Sequence, residues 1–117
     1  MFIAYAVIAV LLAPALLASA YTKLTRNERA VQTFTGQLGV PLGLYPFMAA
    51  CEIAGAAGLI IGLWYGPLGI AAAVGLVLYF VGAIATHLRK GDFKGVLSPL
   101  VILIIAAAAL TLRAASL

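Results

Sequence analysis

Long apolar runs and short polar breaks alternate along this chain. Four stretches, roughly residues 2–21, 44–65, 67–87 and 96–112, are almost wholly apolar. Each meets or approaches the about 20 residues that a helix needs to cross a hydrocarbon core about 30 Å thick. Between them lie a polar connection near 22–43, the brief WYGPLG link, and a basic loop at 88–95. The pattern predicts an all-α polytopic membrane protein: a four-transmembrane-helix bundle with a short helix between helices 1 and 2. The four spans take up most of residues 1–117, so the chain reads as a single transmembrane domain.

Composition agrees. Apolar residues make up 66% of the chain, charged residues 9%, and the mean hydropathy is +1.21. Such values lie far from those of a soluble domain. The first stretch could be mistaken for a secretory signal, but no Lys or Arg precedes it, and it runs into AYTKLTRNERAV rather than a convincing cleavage site. It is expected to be a retained helix. Pro14 falls mid-span, where neighbouring helices must satisfy the carbonyl that it frees.

The placement of charge matters more than its net value of +4. Lys23, Arg26 and Arg29 follow the first span, and Arg89, Lys90 and Lys94 follow the third, so six of the seven basic residues share one side. Arg113 alone marks the other. The positive-inside rule places both basic loops, 23–29 and 89–94, in the cytoplasm and both termini outside. The clusters act either as pure topology signals or as contacts for anionic lipid headgroups. Nucleic acid is not an expected partner.

The first connection has structure of its own. Asn27 is placed to cap a helix through Glu28, Val31 and Phe34 to Leu38, which Gly39 and Pro41 would end. Val31, Phe34, Thr35 and Leu38 fall on one face, with Arg29, Gln32 and Gln37 largely off it. An interfacial or re-entrant helix fits that pattern, and an ordered loop is the plainer alternative.

Inside the second span sits Glu52, the only formal charge in 44–65 and one of three acidic residues in the chain. A carboxylate in hydrocarbon must be paired, wet or protonated. Counted from Leu44 at 1.5 Å per residue, Glu52 lies about 12 Å from the basic-loop side. Lys23 and His87 end spans on that side, and Thr86, His87 or Tyr79 could hydrogen-bond the carboxylate. Two readings stand: a satisfied polar clasp that sets the bundle's register, or a pocket for a proton, a quinone headgroup or a partner's residue.

Small residues surround Glu52. Met48, Ala49, Gly55, Ala56, Leu59 and Gly62 share its helix face, and small residues permit close helix approach in lipid. Ala71, Gly75, Gly82 and Thr86 form a similar stripe in the third span, with Tyr79 between its halves. Spans two and three are therefore expected to pack through these stripes. The Gly58-xxx-Gly62 spacing matches a helix-dimer motif, a weak signal in a chain with 12 glycines.

Candidate chemistry is sparse. Cys51 is the only cysteine, so no internal dithiol can form, and one His, one Cys and scattered acids offer no metal-ligand set. No phosphate-cradling loop or Ser-His-Asp set is present, no cofactor is expected, and no catalytic constellation points to an enzyme. Thr22-Lys23-Leu24 and Thr86-His87-Leu88 each close an odd-numbered span, a three-residue echo no larger than chance produces.

Motifs in combination say more than any alone. SAYTKL closes the first span, LGVP follows in the loop, CEIAGAAGLIIGL fills the second span, and YFVGAIATHLRKGDF ends the third. This order resembles the DoxX-like family over nearly the whole chain. The matching positions are Lys23-Leu24; Glu52, Gly55, Ala56, Gly58 and Leu59; and His87, Arg89 or Lys90, Gly91 and Asp92. The resemblance implies a small four-helix protein of a bacterial plasma membrane. Some members are associated with quinol oxidase or thiol-stress complexes and others act as assembly chaperones, so it implies no common reaction. The expectation is a non-catalytic accessory subunit that packs against a membrane protein or itself. The alternative is a redox-linked or small transport component using Glu52, His87 and Lys23.

Overall fold

Proline and glycine mark the helix limits in the computed structural model, which describes residues 1–117 apart from the side chain of Gln37. Helix α1 runs over Phe2–Leu24, α2 over Glu28–Val31, α3 over Tyr45–Ile61, α4 over Gly66–Arg89 and α5 over Leu97–Ala115. Pro46 and Pro67 sit in the first turns of α3 and α4, where their missing N–H groups have no partner to lose. Pro14 lies inside α1 with its ring exposed. Four helices are long and apolar enough to cross a membrane: α1, α4, α5, and α3 with the 3₁₀ turn Leu42–Leu44 that leads into it.

The spans form a ring in the order α1, α3, α4, α5, with α5 closing against α1. Large apolar side chains such as Ile3, Leu11, Leu78 and Ile104 face outward. The inside is packed by Tyr5, Leu16, Leu59 and Leu76 together with many alanines. Lipid is as apolar as this core, so tight packing rather than burial from water holds the ring together. Both termini lie at the end opposite the two basic loops.

The first connection is helical. Asn27 accepts a hydrogen bond from Arg29 N at 3.0 Å and caps α2, which continues as a π-helical stretch over Gln32–Gln37. Leu38 is buried and Val31, Phe34 and Thr35 half-buried, while Arg29 and Gln32 are exposed, the face that the sequence marks out. The expected place of Gln37 off that face falls outside the described residues. The Thr35 hydroxyl donates to Val40 O at 2.9 Å and lies 2.7 Å from the Tyr45 hydroxyl, tying the connection to the start of α3.

One packing expectation is corrected. Helices α3 and α4 do pack together, but Ala71, Gly75 and Gly82 are exposed, and a methyl added at Gly75 or Gly82 would meet nothing within 4 Å. The packed face of α4 carries Gly69, Ala73, Leu76 and Phe80 instead. On α3, Gly55, Ala56 and Gly62 are buried; Gly55 lies against Leu76 and Gly62 against the backbone of Gly69. Small side chains suit lipid and helix interface equally well, so their stripe alone does not say which way a helix face turns.

Candidate functional site

The last turn of α1 places Lys23 inside the bundle. Its Nζ lies 2.8 Å from Glu52 Oε1 on α3 and donates to Ser19 Oγ, one turn back, at 2.7 Å. Its third direction faces the Phe34 ring, 4.9 Å from the centroid. Lys23 is 3% and Glu52 1% exposed, so the pair is shielded from solvent. Pairing is what makes either charge tolerable there, and removing one partner of a buried pair costs about 3–5 kcal/mol. Glu52 Oε1 nevertheless lies off the line of a hydrogen bond and has no aligned donor. Tyr79 is close enough to interact with the carboxylate, although no aligned hydrogen bond joins it to Oε1.

His87 does not meet Glu52. Helix α4 ends at Arg89, and Gly91 adopts a φ of 72°, a left-handed turn that glycine makes without strain. The turn brings Asp92 N to 2.9 Å from His87 O and swings the Asp92 side chain back over the helix end. His87 Nδ1 then lies 3.0 Å from Asp92 Oδ2, and Gly95 N donates to Asp92 Oδ1 at 3.1 Å. The hydrogen bond from His87, with that from Gly95, holds the Asp92 carboxyl below its ordinary range. The HLRKGD run thus reads as a device for folding Asp92 onto His87.

Between the two pairs is a cavity of about 540 Å³, bounded by Lys23, Phe34, Glu52, Tyr79, His87 and Ile102 among others. Phe80, Met48 and Pro99 complete apolar walls, and Ser98 adds a hydroxyl. Thr86 takes no part: its hydroxyl donates to Gly82 O of its own helix at 2.9 Å. Cys51 is half-buried and free. Among the described residues, no group of three or more His, Cys, Asp or Glu side chains gathers to hold a metal ion.

Sequence reasoning named Lys23, Glu52, Tyr79 and His87 as a cluster but assigned no site role to Phe34 or Asp92. The spacing of His87 and Asp92 around Gly91 was the available signal for Asp92. Phe34 had none, because its reach to Lys23 depends on the π-helical turn.

The opposite end of the bundle holds a second polar arrangement. Arg113 is 7% exposed, so it is no free topology marker. Its Nε donates to Gly62 O at 2.9 Å, and its guanidinium lies 5.2 Å from the Phe2 ring centroid and 5.7 Å from that of Tyr5. The Tyr5 hydroxyl donates to Leu59 O at 2.7 Å. Here the glycine backbones of α3 and α4 come together beneath Tyr5.

Fold and site define a class: a small four-span helical membrane protein with a charged cavity at one end. The chain belongs to the DoxX-like family, whose model matches residues 7–109. Both Lys23–Glu52 and His87–Asp92 lie within that match, whereas Tyr5 and Arg113 lie outside it. Comparison with curated proteins and with solved structures finds no match to either.

Proposed function

We propose that this DoxX-like protein handles a small amphipathic molecule, such as a quinone headgroup, in the cavity between its two acidic–basic pairs. The observation that carries this reading is the cavity itself. At about 540 Å³ it has the size of a small-molecule site, with apolar walls and a few convergent polar groups. A clasp that served only to fix register would close around Lys23 and Glu52. Ionisable groups beside an open space within a membrane mark a functional site. In this reading the basic loops face the cytoplasm of a bacterial cell, and the cavity lies near that face.

Filling the space tests the proposal. Ala83 lines the cavity without belonging to either pair, so Ala83→Phe occupies it and leaves both pairs in place. Native mass spectrometry of protein purified from its own membrane should reveal a bound small molecule in the natural protein and none in the variant. Equal spectra, with the variant folded, would remove the basis for the reading.

A second reading, an accessory subunit that packs against a membrane protein or itself, is favoured by a different observation. Ala71, Gly75 and Gly82 lie exposed along α4, where small residues permit close approach of another helix. Gly75→Leu with Gly82→Leu should then abolish a cross-linked complex that the natural protein forms in membranes.

A further inference from the structure

The donors and acceptors around the cavity are unequally engaged. Lys23 is engaged on its own side, by a hydrogen bond to Ser19 Oγ, the charge of Glu52 and the Phe34 ring. The Thr33 hydroxyl donates to Arg29 O at 3.0 Å. The strongest acceptors are differently placed. Glu52 borders the cavity as a carboxylate, and although its Oε1 lies 2.8 Å from Lys23 Nζ, no aligned hydrogen bond reaches that oxygen. An ionised carboxylate offers about four acceptor positions and no donor.

His87 adds a second acceptor. An ionised Asp92 can only accept, so in the neutral form of His87 the ring proton lies on Nδ1 and Nε2 offers its lone pair. Among the described residues, no hydrogen bond reaches Nε2. The hydroxyls of Ser98 and Tyr79 serve as donor or acceptor and do not discriminate. Lys94, exposed in the loop, also borders the cavity, and its long side chain can keep its charge in water. Aromatic groups flank the space: Tyr79 and Phe80 meet edge to face at 4.9 Å, and Phe34 covers Lys23.

Resting on the reading of the cavity as a ligand site, we infer that it selects a flat, neutral head bearing a hydroxyl, a phenol-like hydrogen-bond donor, over the same head capped as an ether or carrying a negative charge. A hydroxyl satisfies Glu52 or His87 Nε2. An ether or carbonyl oxygen faces those acceptors with another acceptor and leaves them unpaired, a mismatch that binding sites discriminate against strongly. Of a quinone headgroup it is therefore the reduced, hydroxyl-bearing form that fits. An anion meets the Glu52 carboxylate as a like charge.

Three probes of one shape test this: 4-nonylphenol, 4-nonylanisole and 4-nonylbenzoate, titrated calorimetrically into the full chain in lipid nanodiscs. The phenol should bind at least about tenfold tighter than the anisole, and the benzoate weakest. Asp92→Asn provides a sharper readout. Gly95 N–H holds the side-chain oxygen at position 92, so the Asn amide N–H faces His87 Nδ1 and moves the ring proton to Nε2. The acceptor becomes a donor, and the phenol's advantage over the anisole should fall about tenfold. His87→Phe, which removes Nε2 and keeps a ring, should reduce the same advantage without weakening the anisole.

If the anisole or benzoate equals the phenol in the natural protein, or Asp92→Asn leaves the ratio unchanged, donor selection is wrong and the ligand site stands. Should none of the three probes bind, or should Ala83→Phe bind them as the natural protein does, the ligand site fails and the selectivity with it.

Discussion

The two ends of this bundle solve the same problem in opposite ways. Each places a cation inside an apolar protein, Lys23 at one end and Arg113 at the other. Arg113 is held by a backbone carbonyl, the Ser116 hydroxyl and two aromatic rings, over a point where Gly62 and Gly69 bring α3 and α4 into backbone contact. Lys23 is held by a carboxylate, a hydroxyl and one ring, beside a cavity of about 540 Å³. The arginine end is packed and uses neutral partners. The lysine end is charged, open, and supplied with a second pair in His87 and Asp92. Cohesion alone accounts for the first arrangement and leaves the second with unfilled space.

The largest effect should come from separating the charges at the open end. Lys23→Met leaves Glu52 buried without its partner and should destabilise the bundle by about 3–5 kcal/mol in reversible unfolding from bicelles. Lys23→Met with Glu52→Gln should recover most of that loss. A double variant as unstable as the single one would show that Lys23 supports the fold by packing rather than by charge.

Next in size is the packed end. Gly62→Ala places a methyl against the Gly69 backbone and the Tyr5 hydroxyl, with an expected cost of about 1–3 kcal/mol. Ala83→Phe adds far more volume at the open end and should cost under about 1 kcal/mol, because the space exists. Thermal melting of both variants reads the contrast directly. Equal losses would mean that the two ends are equally packed.

The smallest effect concerns Asp92. Its carboxyl lies below the ordinary range because His87 and Gly95 donate to the charged form. A depressed acid contributes stability above its unfolded value and loses it as pH falls through the folded one. Carbon-13 titration should therefore place the Asp92 midpoint below that of a free aspartate. In His87→Ala it should climb back towards it.

Much of the architecture was legible because hydrocarbon imposes it. Four apolar runs must become helices, and Glu52 must find company, so the arrival of Lys23 beside it followed from which spans end on which side. Facing was harder to read. Gly75 and Gly82 look as suited to a helix interface as Gly55 and Gly62, since lipid and protein interior are equally apolar. Arg113 looked like a marker of the far side because chain-end charges usually are, and only the carbonyl of Gly62, 51 positions away, draws it in. Phe34 depended on a π-helical register for which side-chain periodicity gives no sign.

The Lys23–Glu52 contact also bears on how the chain enters the membrane. The α3 span is the least apolar of the four and carries a charge within its length. A lone helix with a buried carboxylate partitions poorly into lipid. The α1 span, made earlier by the ribosome, ends in the matching ammonium, on a long side chain that reaches the interface while it waits. The helix that needs help follows the helix that provides it, so the ion pair serves as a rule for the order of assembly as well as a bond.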